Sequence, residues 1–243
     1  MISVDSLLYK IDQRLNKLSS NDHQQIVLED KILALNEAQI KLVKQKLDGT
    51  PTPSGLGLDA FKKRYEDLQS LVVAYNDGRL PLTLKNAQLN QWKANLHQLC
   101  PKYMFYVDSY VMADKGSCTD RKIWINKELA KHGDLSLLLT NTHYRPSFEY
   151  QETFNFISSD EISIFTDGTF IPKEIHLMYF RYPQYIDKTG YIKFDGTPST
   201  DSNCELETYL EDELLDLTVQ NLAMYTENQS AVQYSAARIQ SNE

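Results

Sequence analysis

The period of the apolar residues changes at Pro101, and that change limits the chain to folds that hold a helical part and a β part. Before it, Val4, Leu7, Leu8, Ile11, Leu15 and Leu18 recur mostly at three- and four-residue steps, the stripe of one helix face. Ser19-Ser20-Asn21-Asp22 interrupts the stripe. Asn21 is a suitable N-cap, and Gln24 three residues later completes a capping-box-like pattern. A second helix is expected from there to about Asp48, where Gly49 stops it. Phe61, Tyr65, Leu68, Val72 and Tyr75 predict a third helix ending near Gly78, and residues 91–99 a short fourth, ended by Pro101.

After Pro101 the aromatic and β-branched residues of 103–112, 122–125, 148–157 and 175–181 predict strands. Asp167-Gly168, between 162–166 and 169–171, is a hairpin signal, and 127–139 reads as a short helix and loop. A last helix is expected over 210–227. Its opening acids, Glu211, Asp212, Glu213 and Asp216, complement the helix dipole, and Leu214, Leu215, Leu217, Val219, Leu222 and Met224 give it a broad apolar surface.

These elements predict an α+β protein: an N-terminal helical hairpin region, an antiparallel β-rich body and a C-terminal helix. The expected boundaries are a helical hairpin at 1–48, a linker at 49–57, a helical segment at 58–101, a β-rich body with the C-terminal helix at 102–227, and a polar Gln/Ser-rich tail at 228–243. The Gly- and Pro-rich linker lacks the Gly-Lys-Ser/Thr ending of a phosphate-binding loop.

The second helix has one apolar stripe more than a surface helix needs. Ile26, Leu33, Ile40 and Leu47 lie seven apart, with Val43 on the same side, while Leu28, Ile32, Leu35 and Leu42 form another stripe beside them. Two stripes imply burial on two sides, either within one core or against a neighbouring subunit.

Composition narrows the function. Hydrophobic residues are 42% of the 243, enough for a core, and the net charge is −8 with scattered Lys and Arg, which disfavours a general nucleic-acid-binding surface. The densest basic spots, 41–46 and 62–64, read as solvated helix faces. Fifteen Tyr and nine Phe suit either aromatic cross-strand pairs or an interface. The cysteines, Cys100, Cys118 and Cys204, are odd in number and have no paired spacing, which argues for a reducing compartment. The N-terminus lacks a signal-peptide pattern and no run approaches about 18 apolar residues, so no membrane association is expected.

Candidate chemistry is thin. His97 and Cys100 have the spacing of a helical metal pair, but a structural zinc site needs four ligands and no second pair exists. His143 with one of the cysteines has no local signature of a Cys–His catalytic pair. Asp195, Asp201, Glu205 and Glu207 could offer oxygen ligands to calcium, but Asp195-Gly196 reads better as a turn, and Asp201 and Ser202 as turn or cap residues. No catalytic residue, metal or cofactor is therefore expected.

The segment Arg181-Tyr182-Pro183, Ile186-Asp187, Gly190-Tyr191-Ile192 and Phe194-Asp195-Gly196, with the Glu/Leu helix after it, resembles virion structural proteins of tailed bacteriophages, closest to neck or ring proteins of crAss-like phages infecting Bacteroidetes. The resemblance is concentrated in the last third of the chain and covers the N-terminal helices only in general style. It implies a non-enzymatic head-to-tail connector subunit, made in the host cytoplasm and residing in the neck of the virion. Such subunits form closed homo-oligomeric rings, often twelvefold, stacked between the portal protein and other neck or tail proteins. Genome DNA passes through the ring, and an acidic lumen would let it slide. On that reading Ile26, Leu33, Ile40 and Leu47 are expected ring contacts, and the tail, with Gln229, Tyr234 and Ile239, reaches a neighbour. The alternatives are a tail or baseplate component of the same virion, a soluble enzyme with an unrecognised carboxylate or Cys–His site, and a monomeric binding module.

Overall fold

The chain divides into two compact units that do not follow its order: residues 1–70 and 183–243 form one, and residues 71–182 form the other. The structure, a computed structural model, describes residues 1–18, 26–48, 66–125, 135–141, 143–193 and 195–225. The linker at 49–57 and the tail at 228–243 lie outside the described residues. Among those described, the α-helices run α1 (Val4–Leu18), α2 (Leu28–Asp48), α3 (Leu135–Thr140) and α4 (Glu211–Tyr225). The α+β class holds: helices and mainly antiparallel sheets are both present, with the expected N-terminal and C-terminal helices.

In the first unit α4 packs against both α1 and α2. Every residue of α4 from Leu214 to Val219 is buried, as are Leu222 and Ala223, the pattern of a helix enclosed on all sides. The buried Val4, Leu7, Ile11 and Leu15 of α1 and Ile32, Leu35, Leu42 and Val43 of α2 supply apolar partners. The acids that open α4 do more than complement its dipole. Lys10 pairs with Glu211 at 2.7 Å, Arg14 with Asp212 and, at 2.6 Å, with Asp216, and Lys46 with Glu213 at 2.8 Å. The C-terminal helix is therefore the centre of the helical unit rather than an appendage of the β body, which corrects the expected 102–227 domain. The helices of 1–48 are likewise not a free-standing hairpin, because both rest on α4.

The second unit holds the strands β1 (Val72–Val73), β2 (Arg79–Pro81), β3 (Thr83–Asn86), β4 (Gln91–Asn95), β5 (Tyr103–Lys115), β6 (Cys118–Ile125), β7 (Glu152–Thr153), β8 (Asn155–Ser158), β9 (Glu161–Phe165) and β10 (Ile171–Arg181). One sheet has the order β1-β10-β5-β6-β7, with β2 also on β10. The other has the order β3-β4-β9-β8. All pairings are antiparallel except β6 with β7. Val73, Leu80, Val111, Ile175, Leu177 and Tyr179 of the first sheet join Ala94, Ile162 and Ile164 of the second in one apolar cluster. The far side of β8 and β9 is closed by Phe154, Phe156 and Phe165 with Leu135, Leu138 and Leu139 of α3.

Three expectations change here. Of the third helix Glu66 and Asp67 are α-helical and Gln69–Leu71 form a 3-10 turn, and the chain is already a strand at Val72. The fourth is β4 followed by a single 3-10 turn, Leu96–Gln98. Among the described residues of the expected helical segment at 58–101, four short strands and two 3-10 turns stand where helices were expected, because apolar residues such as Val73, Leu80 and Ala94 are recruited into the core between the sheets. Asp167-Gly168 turns as expected, with the Thr169 N–H donating to Asp167 at 2.8 Å, but it does not close a hairpin. It carries the chain from β9 in one sheet to β10 in the other, and β9 is flanked by β4 and β8.

Gly78 is a contact point, not a helix stop. A Cβ there would lie 2.2 Å from the backbone oxygen of Leu177, and the Leu177 N–H donates to the Gly78 carbonyl at 2.9 Å. Gly78→Ala is expected to lower stability by about 1–3 kcal/mol through overpacking against β10. Urea unfolding followed by circular dichroism measures this, and an unchanged midpoint would show that the two segments can separate freely.

Candidate assembly surface

The expected contact residues fall on one edge of α2. Leu33, Ile40 and Leu47 drift only about 20° per seven residues around the helix, and Ile26 precedes its first turn. Leu33 is 40% exposed, and Ile26, Ile40 and Leu47 are half-buried; Val27 beside them is 57% exposed. Of the neighbouring stripe, Ile32, Leu35 and Leu42 are buried and Leu28 is half-buried, and Val43 belongs with it rather than with Leu33. One of the two stripes is therefore mostly core and the other stays partly exposed. Asp30 and Glu37 are exposed on the Leu33 side, and the Tyr225 hydroxyl at the end of α4 donates to Glu37 at 2.5 Å. Gln229, Tyr234 and Ile239 lie outside the described residues.

A second surface escapes the sequence reading. Val111, Ile175 and Leu177 face the shared core, so their neighbours Tyr110 and His176 stand on the opposite face of the sheet. Register sets Arg79 opposite His176, His176 opposite Tyr110, Tyr110 opposite Trp124, and Trp124 beside Glu152, a row across five strands. His176 stacks on Tyr110 with ring centroids 4.7 Å apart, and Trp124 meets Tyr110 at 5.5 Å. The Lys122 ammonium lies 4.0 Å from the Tyr110 centroid and 5.0 Å from that of Trp124, close enough for cation–π attraction. Trp124 is nonetheless 45% exposed. His176 Nε2 is 2.8 Å from Glu174, and its buried Nδ1 has no hydrogen-bond partner among the described residues. On the same sheet the Tyr75 hydroxyl donates to Asp108 at 2.7 Å. Alternation within 103–112 puts Tyr110 on one face, but only the pairing register brings it beside residues 14 and 66 positions away, and no local pattern encodes that.

The segment 181–201 is held together by its own polar side chains. Asp187 is buried, and its carboxylate accepts from the Tyr191 hydroxyl at 2.7 Å, the Lys188 N–H at 2.9 Å, the Thr200 N–H at 3.0 Å and the Lys193 ammonium at 2.8 Å. Burial alone would raise its pKa; the four donors outweigh it and hold the carboxyl below the usual range. Asn36 of α2 exchanges two 2.8 Å bonds with the backbone of Ile186, which straps the segment to the helical unit. Asp195-Gly196 forms the expected turn, with Thr197 donating to Asp195 from its N–H at 2.9 Å and its hydroxyl at 2.6 Å. Thr189 holds Asp201 in the same way.

Asp187→Asn is expected to cost about 2–4 kcal/mol, because the Lys193 ammonium loses its buried partner. A carboxyl whose folded pKa is lowered contributes fully above its unfolded value of roughly 4, and loses that contribution as pH falls through the folded value. The stability gap between wild type and Asp187→Asn should therefore be constant from neutral pH down to about 5 and close below roughly 4. A gap independent of pH in urea titrations would contradict this.

Among the described residues, no group of three or more His, Cys, Asp and Glu is placed to hold a metal ion. His97 instead sits 2.9 Å from Asp160. No described helix is long and apolar enough to cross a membrane. Cys204 is buried, which pushes its thiol up to about 11, whereas Cys100 and Cys118 are exposed. Iodoacetamide at pH 8 should label Cys100 and Cys118 in the native protein and Cys204 only after unfolding. Fast native labelling of Cys204, read by peptide mass spectrometry, would overturn its inertness.

Charge is divided unevenly. Residues 71–182 contain twelve Lys and Arg and twelve Asp and Glu, so the net −8 of the chain resides in the helical unit. No protein-family model matches the chain, and a search of curated proteins found no match.

Proposed function

We propose that the protein is a structural subunit of a phage head-to-tail connector that assembles into a closed ring between portal and tail. The observation that carries this reading is the Leu33 edge of α2, an apolar stripe that the subunit's own core leaves half-exposed. The resemblance of the 181–196 segment to neck proteins supports it. In that segment the polar groups of Asp187, Asp195 and Asp201 are engaged in holding the loop, which suits a scaffold. The subunits are joined by head-to-tail contacts that close by rotation, and the net negative charge of the helical unit suits a channel through which DNA slides without sticking.

Native mass spectrometry of the purified protein, alone and with portal protein, tests the reading. Rings in either condition are expected, and a strict monomer in both would overturn it. Leu33→Asp is expected to leave a folded monomer, at a cost under about 1 kcal/mol of helix propensity, while preventing assembly. An unfolded variant would instead make the stripe part of the core.

A further inference from the structure

We propose that the two surfaces described above are the two halves of one contact between copies. In it the α2 ridge of one copy, Asp30, Leu33 and Glu37, lies across the sheet face of the next copy, against Arg79, Lys122 and Trp124. This rests on the ring-subunit reading and adds to it the second half of the interface and its polarity.

The charges carry the inference. Arg79 and Lys122 have no carboxylate partner among the described residues, while the acids beside them are occupied: Glu174 by His176 and Asp108 by Tyr75. On the ridge, Asp30 has no cationic partner among the described residues, and Glu37 accepts only from the Tyr225 hydroxyl. Among the described residues, two cations without a carboxylate partner thus stand on one surface, Lys122 against the Tyr110 and Trp124 rings, and two acids without a cationic partner on the other. The division of net charge points the same way. A contact between two helical units would press like charge on like, whereas a contact between a helical unit and a neutral β unit would not.

Shape agrees with charge. Each patch has a large, partly exposed apolar side chain at its middle or end: Leu33 on the ridge and Trp124 on the sheet. Such a centre ringed by charges is the anatomy of a specific interface. Asp30 and Glu37 are about 10 Å apart along the helix axis. Arg79 and Trp124 stand three strand spacings apart, about 14 Å, with Lys122 two residues along from Trp124. Long Arg and Lys side chains span the difference. The two patches differ, so the contact is heterologous, as a ring requires.

Reciprocal charge exchange in the full chain tests this. The pair Arg79→Glu with Lys122→Glu, and the pair Asp30→Lys with Glu37→Lys, should each give a folded protein that no longer forms rings. Mixing the two variants should restore rings in which they alternate, and a chain carrying all four substitutions should assemble by itself, all read by native mass spectrometry. Rings from either pair alone overturn the proposal, as does a failure of both the mixture and the fourfold variant to recover assembly. A pair that keeps its rings but loses portal association assigns the patch to portal contact and also overturns it. If wild type forms no rings, alone or with portal, the ring reading falls and the proposal with it. If wild type assembles and the exchanges have no effect, only the proposal falls.

Discussion

The helical unit depends on the enclosure of α4. A 15-residue helix buried around its whole circumference between Leu214 and Ala223 cannot be stable without the surfaces that cover it, and those belong to α1 and α2, nearly two hundred residues earlier. The first and last parts of the chain must therefore meet, and residues 71–182 fold as an excursion between them. The pairs from Lys10, Arg14 and Lys46 to the acids that open α4 set the register of that meeting. Of these, Arg14 with Asp216 matters most, because Asp216 is buried and would be costly without its cation. The strap from Asn36 to Ile186 then brings the loop organised by Asp187 onto the same unit.

Much of this was legible in residue patterns, and the failures share a physical cause. The stripe of α1, the length of α4, and strands β5, β6 and β10 follow from periodicity because each buries one face or all faces over many residues. Val72 and Tyr75 continue a helical spacing from Phe61 by coincidence, and 91–99 has the look of a short helix although 91–95 is a strand. What decides the conformation of 72–81 is pairing with β10, which lies a hundred residues away, and a carbonyl oxygen that leaves no room for a side chain at Gly78, while 83–86 and 91–95 are strands through pairing with each other and with β9. The Asp167-Gly168 signal correctly marked a turn but not its partners, because turn chemistry is local and the choice of sheet is not.

The proposed assembly surface is half legible in the sequence for the same reason. A second stripe on α2 announces itself in the sequence, and the structure separates the stripe used by the core from the one left outside. The row of Arg79, His176, Tyr110 and Trp124 does not announce itself, because its members come from four strands and meet only through register. Among the described residues, one surface carries acids without a cationic partner and another carries cations without a carboxylate partner, on units of different net charge. The proposed contact between copies would use packing and charge alone.

Hydrogen–deuterium exchange on the assembled particle and on dissociated subunits is the most direct measurement of that idea. Protection gained on assembly along α2 from Asp30 to Lys44 and on β6 around Lys122 and Trp124, with α4 equally protected in both states, is the expected result. Unchanged exchange at α2 and β6, with new protection confined to other segments, would contradict it.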